Sequence, residues 1–160
     1  MSDDVLRIYL NDHLAGATAA IELLQHLTKL RPESDAQQRY ARLRREIEED
    51  KQVLQNILAG LGGTESPVRK AAGWLSGKLG QVKMAIDDTG DDQLRVLEAL
   101  EALSLGIQGK LSLWRALATV ASRVPPLQSV DFGRLQQRAS EQFEQVDGER
   151  LQVARAALAR

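Results

Sequence analysis

The 160 residues predict an all-α protein, an up-and-down four-helix bundle with a short fifth helix in the crossover between the second and third long rods. Three observations carry that expectation. Apolar residues recur at three- and four-residue intervals over long stretches, and no five-residue run shows the β-branched alternation of a strand bounded by turns. Caps, glycines and prolines then cut the chain into five segments.

The first rod, residues 2–31, opens on Ser2 as a cap. Asp3 and Asp4 sit at the positive end of its dipole, and the rod stops before Pro32. The second, residues 34–61, begins with Ser34-x-x-Gln37, a capping-box spacing, and runs out in Gly60-Leu61-Gly62-Gly63. Ser66-Pro67 reads as cap and first helical residue of a shorter helix over 67–86, which contains Gly73, Gly77 and Gly80. After the cap-rich turn Asp87–Asp92, the third long rod covers 91–122. Pro125-Pro126 sets off the fourth, over 131–158. All 160 residues are expected in one domain.

Composition narrows the chemistry. With 43% hydrophobic and 27% charged residues the chain suits a single globular core, and a net charge of -1 offers no general attraction for nucleic acid or anionic lipid. The absence of cysteine excludes disulfides, thiolate metal sites and cysteine nucleophiles, and leaves His13 and His26 as the only imidazoles. The acidic start and the lack of a long apolar run argue for a cytoplasmic protein that does not insert in membranes. Gly73-x-x-x-Gly77-Lys78 and Gly106-x-x-Gly109-Lys110 have neither the spacing nor the preceding strand of a phosphate loop.

Helical phase identifies polar residues on core-facing stripes. His13 falls within Leu6, Leu10, Leu14, Ala17, Ile21 and Leu24, and Asp50 falls within Leu43, Ile47, Leu54, Ile57, Leu58 and Leu61 with Glu46 on the shoulder. Glu101, Ser104 and Gln108 run along the edge of the third long rod, whose apolar face is Leu97, Leu100, Leu103, Ile107, Leu111, Trp114 and Ala118. Arg150 shares the stripe of the fourth with Phe132, Leu135, Ala139, Phe143, Val146, Val153 and Ala157. The first expectation is a buried polar network of His13, Asp50, Glu101, Gln108 and Arg150 that fixes helix register.

Two long helices, a connection containing a short helix, and two further long helices resemble the ferritin-like bundle proteins. That resemblance implies a buried carboxylate metal centre, with one carboxylate on each of two helices and Glu-x-x-His on each of the others. No Glu-x-x-His occurs. The sequence has Glu46-x-x-Glu49, Glu98-x-x-Glu101 and Glu141-x-x-Glu144 in its place, and an inward arginine opposes a divalent cation at the same level. The candidate metal ligands are therefore His13, Glu46, Asp50 and Glu101, a set that suits iron or manganese.

These readings favour a non-enzymatic bundle with a structural or protein-interaction role, no cofactor and no catalytic residues. Its partner is an unidentified protein or a second copy paired through the first or second rod. The alternative is an iron- or manganese-dependent oxidoreductase or metal-storage protein of ferritin-like fold. The short helix supplies a third expectation. Val68, Ala71, Ala72, Leu75, Leu79, Val82 and Ile86 form its apolar stripe beside Arg69, Lys70, Lys78 and Lys83, which suits either a packed crossover or a docking element.

Overall fold

The computed structural model describes residues 2–66 and 90–159, and the expected short helix over 67–86 lies outside the described residues. Four long α-helices carry the fold: α1 (Ser2–Leu30), α2 (Ser34–Gly60), α3 (Asp92–Val120) and α4 (Phe132–Leu158). Two short 3-10 turns, Ala121–Arg123 and Pro125–Leu127, connect α3 to α4. No strand occurs among the described residues, and no helix there is long and apolar enough to cross a membrane.

The core divides into two apolar clusters, which also fix the directions of the helices. The first joins Leu24 and Leu27 of α1 to Tyr40 and Leu43 of α2, Leu100 and Leu103 of α3, and Val146 of α4. The second joins Leu10 and Leu14 to Leu54 and Leu58, Leu113 and Trp114, and Leu135 and Ala139. The late part of α1 thus packs beside the early parts of α2 and α3 and the late part of α4. It follows that α2 and α3 point the same way, antiparallel to α1 and α4, and that residues 60 and 92 lie at opposite ends of the bundle. Close backbone approach is concentrated at α3–α4, α1–α2 and α1–α3, whereas α2 and α4 are tied by long polar side chains.

Local sequence explains where the helices begin and end. The Asp91 carboxylate accepts from the amides of Gln93 and Leu94 at the start of α3, and Asp131 accepts from that of Arg134 at the start of α4. At the end of α2, Gly63 N–H donates to Leu58 O and Gly62 N–H to Ala59 O, the paired closure that requires a left-handed residue. Gly62 supplies it with φ +70°. Arg7 of α1 donates to Leu61 O from both Nε (3.0 Å) and Nη2 (2.5 Å), holding this corner against the neighbouring helix. The expected Ser34/Gln37 capping box does not form. The Gln37 amide instead donates to Thr28 O at 2.9 Å and so satisfies the end of α1 rather than the start of α2.

Candidate functional site: a buried ion network

At mid-height, between the two apolar clusters, each of α2, α3 and α4 presents a polar side chain where an apolar one would continue the stripe. Asp50 lies three residues after Ile47 and four before Leu54, and Lys110 stands in the same relation to Ile107 and Trp114. Arg138 follows Leu135 by three and precedes Gln142 by four. This recurrence puts each on the inward face of its helix, and the bonds of Lys110 and Arg138 to Asp50 put all three at one level of the bundle.

Asp50 is the centre. It is 2% exposed, and both of its carboxylate oxygens are engaged. Lys110 Nζ donates to Oδ2 at 2.6 Å, and Arg138 Nη2 donates to Oδ1. Lys110 also donates to Gln142 Oε1, and Gln142, 1% exposed, donates from Nε2 to Glu46 Oε2 at 2.8 Å. Arg138 reaches outward to Glu49 Oε2 at 2.7 Å. Five side chains from three helices are therefore joined around Asp50 by hydrogen bonds and ion pairs, the arrangement that makes a buried charge tolerable, although Arg138 Nε has no partner among the described residues. Burial pushes the Lys110 ammonium below the usual lysine range, against the opposing pull of Asp50.

Part of this network departs from the sequence expectation. Asp50 is at its centre as expected, with Glu46 on its shoulder. Gln108 is exposed, because the Ile107–Lys110–Trp114 stripe turns it to solvent. Glu101 is exposed too, and its contact is with Arg150 at 3.5 Å. Arg150 is half-buried and also pairs with Asp147 at 2.8 Å, about three turns along α4 from Arg138. The inward arginine of α4 is Arg138, and the inward cation of α3 is Lys110. Both occupied visible stripe positions, a signal outweighed by the ordinary tendency of Lys and Arg to put their ends in water.

His13 stands apart from these hydrogen bonds. It is half-buried, with its ring against the edge of Tyr9 at 4.7 Å between centroids. Burial holds its pKa below the usual imidazole value, opposed by Asp12 on the same helix. A histidine whose folded pKa lies below its unfolded value stabilises the fold above pH ~6.5. That contribution is lost as pH falls through the unfolded value toward the folded one. Thermal melts between pH 7.5 and 5 should therefore show a falling midpoint that is shallower in His13→Gln, and an unchanged slope would refute the assignment.

The four candidate metal ligands do not form a metal site. Among the described residues no group of three or more His, Asp or Glu side chains is placed to hold an ion. Glu101 points to solvent, and the oxygens of Asp50 already face an ammonium and a guanidinium, whose positive charges oppose a divalent cation. The donor set does not fit iron or manganese.

A second polar cluster, which the sequence did not reveal, closes the end where α1 meets α2. Tyr40 donates its hydroxyl to Glu149 Oε1 at 2.6 Å, and Arg31 donates to the same oxygen at 3.0 Å. Arg39 lies 3.5 Å away. Burial, then the Glu149 carboxylate, raises the Tyr40 pKa. Periodicity marks Tyr40 only as a core position, since nothing local to it announces a partner 109 residues away.

Comparison with protein-family models, with curated proteins and with solved structures returns no match.

Proposed function

We propose that this protein is a non-enzymatic helical bundle of ferritin-like organisation that serves a structural or protein-interaction role in the cytoplasm. The observation that carries the reading is the occupation of both Asp50 oxygens by Lys110 and Arg138. An internal ion network stands where bundles of that organisation place carboxylates for a metal. The order of helix directions, with α2 and α3 parallel and their connected ends at opposite poles, supports the ferritin-like part of the reading. Val5 (67% exposed) and Ile8 (44%), three residues apart on α1, support pairing of two copies through that helix.

Elemental analysis of freshly purified, untagged protein tests this directly, followed by anaerobic ferrous titration and admission of air. Metal far below one ion per chain, with no oxygen-dependent absorbance change, is the expected result. Near-stoichiometric iron or manganese with such a change would overturn the proposal in favour of an oxidoreductase or metal-storage protein. Sedimentation over a hundredfold concentration range tests the dimer, whose association should weaken in Val5→Asp/Ile8→Asp.

A further inference from the structure

A cavity of about 40 Å³ adjoins the ion network between α1, α2 and α3. Its described lining is mostly small or apolar, with Gly16, Ala17 and Ala20 on one side and Ile47, Leu54 and Leu113 among the facing residues. Four polar residues also line it: His13, Asp50, Lys110 and Lys51, the last paired with Glu65 at 3.5 Å. The Lys110 ammonium has three N–H groups, of which Asp50 and Gln142 take two, so one donor is left beside the cavity. The His13 imidazole makes its ring contact with Tyr9 and no hydrogen bond to a described residue. A neutral imidazole offers one donor and one acceptor.

Size decides what such a space can take. A water molecule needs roughly 10–15 Å³ of cavity measured in this way, whereas a benzene-sized guest occupies a cavity of about 150 Å³. The volume suits about three waters and excludes an organic ligand of that size. An apolar pocket of this volume would be dry, but here a leftover ammonium proton, an imidazole and a carboxylate edge supply the two to four partners that a buried water requires.

We propose that this cavity is an internal hydration site, in which about three ordered waters link the third N–H of Lys110 to the His13 ring. The waters extend the hydrogen bonding of the mid-height layer and bring into it α1, for which no direct side-chain hydrogen bond to the Asp50 cluster occurs among the described residues. His13 thereby joins the network as the sequence stripe suggests, through solvent rather than by contact.

The test is nuclear magnetic resonance on the isotopically labelled full chain, reading magnetisation transfer from water to the ring protons of His13 and the ammonium of Lys110. Cross peaks with the sign of long-lived bound water are expected in the wild type and should be lost in Ala17→Leu, whose side chain fills the cavity. Dissolved xenon provides a second reading that needs no variant. No saturable xenon shift is expected, because the cavity is wet. A saturable xenon shift without water cross peaks would show a dry cavity and overturn the proposal, as would the absence of both signals.

Discussion

Asp50→Ala is expected to destabilise the protein by about 3–5 kcal/mol, the cost of leaving buried charges without their partner. Lys110 and Arg138 both lose their shared acceptor, and with side-chain exposures of 12% and 18% neither can recover full hydration without moving. The loss is a large fraction of the roughly 5–15 kcal/mol that holds a domain of this kind together. Its pH dependence identifies the cause. Without Asp50 the Lys110 ammonium falls further below its unfolded pKa of ~10.4, so the unfolded state binds more protons than the folded one across that window. Stability of the variant then rises with pH, and its deficit should be smaller at pH 9.5 than at pH 7. Urea unfolding of both proteins at the two pH values, with unchanged slopes, is the measurement, and a deficit equal at both would refute the account. Replacing the trio together, as Asp50→Leu/Lys110→Met/Arg138→Met, should cost far less than the single change, because no charge is stranded.

That contrast explains why part of the mid-height layer was legible in the sequence and part was not. Asp50 announced itself, because a short carboxylate in the middle of the Ile47–Leu54 stripe cannot reach water by extending. Lys110 and Arg138 occupy equivalent positions, but a long side chain on a stripe is compatible with either an inward or an outward end, and only the neighbouring helices decide. Gln108 and Arg150 illustrate the reverse error. Helical phase alone turns both inward, yet Gln108 is turned out by the stripe that includes Lys110, and Arg150 finds Asp147 and Glu101 near the surface. The four long helices were legible because stripes, capping aspartates and the Gly62 turn act locally. The Tyr40–Glu149 closure was not, since it joins residues from distant parts of the chain.

Trp114→Ala is expected to cost about 3–5 kcal/mol, through lost burial and the cavity left behind. The indole is 0% exposed and packs with Phe132 at 6.2 Å between ring centroids, in the cluster that also holds Leu10, Leu58 and Leu127. It therefore touches the part of the core to which all four long helices and the α3–α4 connection contribute. Its Nε1 is buried and has no hydrogen-bond partner among the described residues, so truncation is expected to sacrifice volume and contacts but no hydrogen bond. This orphan donor separates packing from polarity in a way the Asp50 variants cannot. Trp114→Phe removes the unpaired N–H together with part of the ring, so relief of desolvation offsets part of the packing loss, and the expected cost is well under half that of the alanine variant. Chemical unfolding of the two variants would show it. Equal losses would mean that the indole nitrogen is satisfied in solution and that Trp114 contributes a hydrogen bond as well as volume.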